Sequence, residues 1–401
     1  MSNDAGRRGR KCRGESRQDF VRSRLEAKGT APQNRPCLMV TLMNPLRTTS
    51  MMAAVLSILA LSTHASGVGF VDPTDIPAQS SALAARSLML SVTNAGSWLV
   101  AVGQRGHIVV STDGGASWKQ SKVPVSSDLV SVFFVDDHQG WAVGHDGVIL
   151  NTADGGLTWT LQLDGQRANE RLVEHMQNAV NQNPASAEKR QLLDDAKRYK
   201  EQGADKPFLD VWFADENTGF VVGAYNLIFR TVDGGKNWEP WFDRTENPKA
   251  FNLHAIRPAA GGLYIAGEGG LVLRLDPEAN RFKAQPVPYK GSFFGVAGDK
   301  SFVLVFGLRG NAFRSDDGGR AWTKVDVGLP ASIVGSATTA QGTLLLADLG
   351  GRVVASVDGG RTFKTLPIQN PMPLAGVANA GNGKLALAGP HGVAVTELPP
   401  L

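Results

Sequence analysis

The chain has 401 residues, of which 46 are glycine, 42% are hydrophobic and 19% are charged. Glycine exceeds its usual ~7% share and charge falls below the usual ~25%, which suits a turn-rich, β-type globular protein with ample length for a core. No three-residue glycine period and no sustained heptad occurs, so collagen-like and coiled-coil readings are excluded. The net charge of +4 belongs to the first fifty residues, which carry 11 Lys/Arg against 4 Asp/Glu. Residues 51–401 carry 30 against 33, a balance of −3, so nucleic-acid binding by the folded part has no electrostatic support. Both cysteines, Cys12 and Cys37, lie in the same leader, which leaves the remainder without a disulfide or a thiolate metal site.

Residues 1–65 read as a basic extension followed by a cleaved signal peptide. The apolar run 51–61 is too short to span a bilayer but fits a signal h-region, with Arg47 before it and Thr63-His64-Ala65 as a small-x-small cleavage site. Met43 offers a second translation start. A mature chain from about Ser66 is expected to be exported by the Sec route to a periplasm or an equivalent lumen, and to be peripheral to a membrane at most.

A repeat occupies residues 66–401. The second glycine of a G-x-x-G hairpin recurs as Gly106, Gly147, Asn226 (a substituted copy), Gly270, Gly310, Gly351 and Gly392, at steps of 41, 79, 44, 40, 41 and 41. The second copy shows the grammar: L-V-S-V-F-F-V, a turn, W-A-V-G, the hairpin, V-I-L-N-T, a second tight turn and T-W-T-L-Q-L. Four short β-rich runs in ~41 residues are the signature of a propeller blade, so the fold class is all-β, a seven-bladed β-propeller. The second turn is an Asp-box, S/T-x-D-G-G-x-x-W. It places Asp113 with Trp118, Asp154 with Trp159, Asp233 with Trp238, Asp317 with Trp322, and Asp358 with Phe363. The aspartate should accept backbone N–H groups across the turn, the glycines should permit positive φ, and the aromatic should wedge between blades. The fourth copy has Pro277 for the aspartate and keeps only Phe282. The last blade runs out after three strands, and residues 67–71 are expected to close the ring by pairing with 392–398.

Residues 164–206 switch to helical spacing, with Leu172, Val173, Met176, Ala179 and Val180, then Leu192, Leu193, Ala196 and Tyr199. Asn183-Pro184 separates the two runs and Gly203 is a stop, so an antiparallel helical hairpin is inserted between blades two and three. Its connection type puts it on the G-x-x-G face, opposite the Asp-boxes, and a Gly/Ser linker should replace it without disturbing the blades.

Asp-boxes also occur in sialidases, which need an arginine triad and a tyrosine nucleophile. Ile256-Arg257-Pro258 is the reverse of the Arg-Ile-Pro motif, and Tyr199, Tyr225, Tyr264 and Tyr289 are the tyrosines on offer. The seven histidines show no H-x-H or H-x-x-x-H pair, so no metal and no cofactor is expected. At the hairpin tips, Arg105 and Arg309 occupy one repeat position, and with His145 and His391 they are the candidate partner-binding residues. A glycan-stacking role for Trp98, Trp141 or Trp241 is the alternative.

The pattern L-x-x-V-x-F-x-D…G-W-A-V-G-x-x-G-x-I-L-x-T-x-D-G-G-x-T-W, met almost throughout by Leu129 to Trp159, resembles the photosystem II stability/assembly factor family. The resemblance implies a non-enzymatic, exported, monomeric propeller that assists assembly of a membrane-protein complex. Such a complex would be a photosystem, or an envelope transporter in a non-photosynthetic host. It also implies that an arginine-bearing surface meets the partner, to which Arg105 and Arg309 are the candidates here.

Overall fold

Glycine- and aspartate-rich turns cut the repeats into strands of two to seven residues, too short to bury both faces alone. The structure is a computed structural model that describes residues 71–368 and 371–399. The signal-peptide and cleavage-site expectations lie outside these residues. Among the described residues the strands form seven antiparallel meanders, six of four strands and one of three. Blade 2 runs Leu129–Phe134, Gly140–Gly144, Ile149–Thr152 and Thr160–Leu163, and the other blades repeat that order.

The core is seven seams rather than one mass. Val100, Val102 and Val110 of blade 1 meet Val132, Phe134 and Leu150 of blade 2, and each later pair of blades shares an equivalent apolar cluster. The seam between blades 2 and 3 contains Trp141 stacked on Phe213, with centroids 3.4 Å apart and planes 9° apart. The last seam closes the ring: Met89, Leu99 and Ala101 of blade 1 pack on Ala378, Ala386 and Ala388 of blade 7. Asn94 Nδ2 also donates to Asn379 O at 2.7 Å across it. A blade that buries one face on each neighbour cannot be stable by itself.

Blade 7 consists of Gly376–Gly381, Lys384–Gly389 and Gly392–Glu397. The closing strand expected at 67–71 falls outside the described residues except for Val71, which is exposed and not in a strand. Within the described residues, blade 1 meets the last strand. Gly115 of the first Asp-box lies so close to Val395 that a Cβ there would stand 2.1 Å from the Val395 side chain, and Trp118 packs beside Val393 and Val395.

The insertion is the expected helical hairpin: α1, Gly165–Gln182, capped by Asp164, and α2, Ala187–Gln202, capped by Ser186 and ended by Gly203 at φ 89°. Its placement differs from the expectation. Both ends sit at the G-x-x-G face, since Gly165 abuts Asp146 and Ala204, and Asn169 Nδ2 donates to Gly203 O at 2.8 Å. The length of α1, however, runs down the outer edge of blade 3. Arg171 donates to Trp238 O at 3.2 Å, His175 pairs with Asp243 at 3.1 Å, and Asn178 lines a hollow with Asp233 and Asn237 of the third Asp-box. Leu172 and Ala168 join Trp238 and Phe208 in the blade 2–3 seam, and Met176 is fully buried. The hairpin is therefore part of the core, and a Gly/Ser replacement would strip that seam. Among the described residues no helix is long and apolar enough to cross a membrane.

Candidate partner-binding surfaces

Five of the seven G-x-x-G hairpins, those of blades 1 to 5, close in a tight turn whose second residue is left-handed: Arg105 (φ 55°), Asp146 (56°), Tyr225 (52°), Gly269 (64°) and Arg309 (55°); Gly350 of blade 6 and His391 of blade 7 are not. Non-glycine residues hold that conformation only where surroundings enforce it. Here the following blade does so: Asp128 Oδ1 accepts the Arg105 N–H at 2.7 Å, Asn252 Oδ1 the Tyr225 N–H at 2.8 Å, and Ser332 Oγ the Arg309 N–H at 3.2 Å. The next residue must be glycine because a Cβ on Gly106 or Gly310 would collide with Val125 O or Leu329 O of the overlying connection. In blade 3 Asn226 replaces it, and its amide serves as a clasp, donating to Phe242 O and accepting from Thr245 and Asn247.

This geometry turns the αL side chains outward on one face. Arg105 and Arg309 are both exposed there, with no ion-pair partner among the described residues. His145 and His391 are exposed on the same face, at the tips of blades 2 and 7. The structure thus brings His391, Arg105 and His145 onto three consecutive blades and leaves Arg309 across the ring on blade 5. Tyr225 was not singled out by sequence, although it occupies the position of the two arginines. It is 56% exposed and lies 6.3 Å from Tyr199 of α2, over which Lys206 Nζ sits at 4.6 Å.

The central channel holds a second group of polar residues. Inner strands of all seven blades line a cavity of about 350 Å³. In it Arg257 grips Asp210 with both terminal nitrogens, at 2.6 and 3.1 Å, while Ser131 Oγ and the Ile256 N–H donate to the same carboxylate at 2.7 and 2.8 Å. Every strong acceptor site of the buried carboxylate is filled, so this cluster ties blades 2, 3 and 4 together and has no valence left for a substrate. His254 also lines the channel. Its Nδ1–H donates to Phe293 O at 2.7 Å, and burial pushes its pKa below the ordinary histidine value despite that bond. Arg257 and Asp210 interrupt otherwise apolar inner strands, a signal present in the sequence.

The alternative binding residues resolve differently. Trp141 and Trp241 are each 1% exposed and unavailable to stack on a sugar, and Trp98 packs partly buried against the blade 1–2 seam. None of the four tyrosines lines the channel, and its one arginine is committed to Asp210.

On the opposite face the Asp-boxes form as expected. Asp154 Oδ1 accepts the Thr158 N–H at 2.9 Å and the Thr152 hydroxyl at 2.8 Å, Oδ2 accepts the Thr158 hydroxyl at 2.6 Å, and the Gly156 N–H returns to Thr152 Oγ1 at 3.1 Å. The N–H four residues on and the Ser/Thr hydroxyl two residues before recur as donors to Asp113, Asp233, Asp317 and Asp358; the donor to Oδ2 is a hydroxyl at Asp113 and Asp358 and the Asn237 amide at Asp233, while Ala321 supplies none at Asp317. The Ser117 hydroxyl, then its N–H, holds the Asp113 carboxyl down at about 2, and the Thr362 hydroxyl depresses Asp358 further. Trp159 and Trp238 are 4% and 1% exposed, whereas Trp118, Trp322 and Phe363 are half-buried.

Residues 111–180 and 197–290 match the profile of the family described as photosynthesis system II assembly factor YCF48. A photosystem II assembly lipoprotein Ycf48 from Synechococcus sp. CC9902 is 28% identical over 118 residues, covering 28% of this chain and 35% of that protein. The chloroplastic photosystem II stability/assembly factor HCF136 of Cyanidioschyzon merolae is 40% identical over 70 residues, 16% of either chain. The match thus spans about a third or less of these curated relatives. Among solved structures, YCF48 bound to D1 peptide superposes with a TM-score of 0.55 at 16% identity, covering 79% of this chain and 95% of that one. In its repeats the chain is similar to photosystem II assembly factors, and its fold is that of a β-propeller.

Proposed function

We propose that the chain is an exported, non-enzymatic assembly factor that holds segments of a membrane-protein complex on its G-x-x-G face. The observation that carries this reading is the left-handed tips of Arg105 and Arg309, whose backbones are clamped by the next blade while their side chains, with those of His145 and His391 on the same face, are exposed without ion-pair partners among the described residues. A rigid backbone with unpaired guanidinium groups suits capture of carboxylates and backbone carbonyls on a partner, because little order has to be imposed on binding. Export from a leader over residues 1–65, action as a monomer and the absence of a cofactor belong to the same reading. Proteins of similar sequence named as assembly lipoproteins, and a similar fold in complex with D1 peptide, support it.

The test is complementation. In a strain deleted for the gene, the wild-type chain should restore the assembled membrane complex on native gels, and the Arg105→Glu/Arg309→Glu chain should not, at equal abundance. Full restoration by the charge-reversed chain, or no change in any membrane complex on deletion, would overturn the reading.

A further inference from the structure

Blade 4 breaks the repeat, and the break leaves an open cleft. In the other boxed blades the Asp-Gly-Gly turn is pressed onto the preceding blade: Gly155 against Trp98, Gly235 against Gln162, and Gly360 against Phe302. Blade 4 has Leu275 where those boxes have the bridging Ser or Thr, Pro277 for the aspartate, and Glu278-Ala279 for the two glycines. In its turn Asp276 Oδ1 accepts the Glu278 and Ala279 N–H groups at 3.0 Å, between strands that pair Leu275 with Phe282. The result is a cleft of about 680 Å³ on the Asp-box face. Trp212 of blade 3, with Pro258, Leu263, Leu275 and Pro277 of blade 4, forms its apolar surface.

Charge borders this surface on one side. Arg274 and Lys300 line the cleft, and neither has an ion-pair partner among the described residues. Arg274 packs its Nε against Gly262 and its guanidinium 5.8 Å from the Tyr264 ring, while Lys300 is exposed. The nearby carboxylates are engaged elsewhere: Asp299 Oδ1 accepts the Ser301 N–H and hydroxyl at 2.7 Å, and in the adjoining hollow that Arg274 and Lys300 also line, Asp316 pairs with Arg314 and Arg361 while Asp317 Oδ1 accepts the Ser315 hydroxyl and the Ala321 N–H.

We infer that this cleft docks an extended peptide segment of a protein partner, one that carries an apolar side chain followed closely by a carboxylate. The apolar side chain covers Trp212 and Leu275, and the carboxylate takes the two unpaired cations. The inference rests on the chain working as a binding protein, but it names a surface on the other face from the αL tips.

The test is selection of a phage-displayed library of random dodecapeptides on the purified propeller. Two variants serve as comparison: Lys300→Glu, at an exposed position, and Leu275→Ser/Pro277→Asp/Glu278→Gly/Ala279→Gly, which restores the box sequence and removes the apolar side chains of Leu275 and Pro277 from the cleft. Enriched peptides should pair an apolar residue with Asp or Glu, bind the wild type at least tenfold tighter than Lys300→Glu, and lose binding to the rebuilt chain. Three results would overturn it: no enrichment, enriched peptides lacking a carboxylate, or equal binding to Lys300→Glu. Dimerisation abolished in the rebuilt chain would assign the cleft to a second copy, and oligosaccharide binding insensitive to Lys300→Glu would assign it to a glycan; each equally defeats the inference. The selection uses no cells, so it can fail while complementation succeeds, or the reverse.

Discussion

Replacing Trp159 with alanine probes the blade seams directly. The indole is 4% exposed, lies edge-on to Phe134 at 6.1 Å, packs with Val100, Val110 and Val123 of blade 1, and donates from Nε1 to Gly156 O at 2.9 Å. An indole buries roughly 200 Å², which at about 25 cal/mol/Å² is about 5 kcal/mol as an upper figure, because the unfolded chain also shields part of it. The observed range for aromatic truncations, about 3–5 kcal/mol, agrees. At about 2.1 cal/mol/K of unfolding entropy per residue, a propeller of about 330 residues should lose roughly 4–7 °C of melting temperature. Trp118→Ala is the internal control: its ring is half-buried, so about half the shift is expected. Scanning calorimetry of both variants beside the wild type makes the comparison. A Trp159→Ala shift under about 2 °C, or a Trp118→Ala shift as large as that of Trp159→Ala, would refute the seam as the source of stability.

Asp154→Ala should cost about 1–3 kcal/mol by urea unfolding, because it strands the Thr158 N–H and two hydroxyls; a loss below about 0.5 kcal/mol would count against the turn as a structural clasp. Acid should act through the same boxes. The Asp113 carboxyl is held at about 2 in the fold against an ordinary 3.8, so its contribution is present above about pH 4 and disappears as pH falls toward 2. Melting temperature should therefore be flat above about pH 4 and drop below it, more shallowly in Asp113→Asn; an identical slope in that variant would contradict the assignment. Arg257→Ala leaves the buried Asp210 carboxylate without its counter-charge and should destabilise by about 3 kcal/mol in urea unfolding. A neutral outcome would mean that the channel cluster does not tie the blades.

The period of about 41 residues made the seven blades legible, because each repeat carries its turn chemistry in the open: Gly106 and Gly310 under an overlying carbonyl, and Asp154 between Thr152 and Thr158. Those requirements are local, acting within a few residues, and so they survive as pattern. The candidate tips Arg105 and Arg309 were legible for the same reason, as was the helical hairpin with its Gly203 stop. The closing strand expected at 67–71 lies outside the described residues apart from Val71, while within them Gly115 of the first blade lies against Val395 of the last strand. The bed of α1 was hidden, since nothing in the spacing of Ala168 and Leu172 says that they enter the seam around Trp238.

The seam occupied by α1 changes what an experiment on the hairpin can mean. Excising residues 166–203 would remove Leu172 and Ala196, each 1% exposed, from the blade 2–3 core, together with buried Met176 and the contacts of Arg171 to Trp238 and of His175 to Asp243. Any loss of partner binding would then be confounded with loss of stability, however cheaply a flexible loop closes. Side chains that touch no seam separate the two. Arg105, Arg309 and Tyr225 have backbones fixed by Asp128, Ser332 and Asn252, so their side chains can be changed while the turn keeps its hydrogen bonds. Lys300 offers the same separation on the opposite face. A propeller divides labour in this way because its repeats must obey packing everywhere except at the tips and at a degenerate copy. Those are the positions where this sequence departs from its own period.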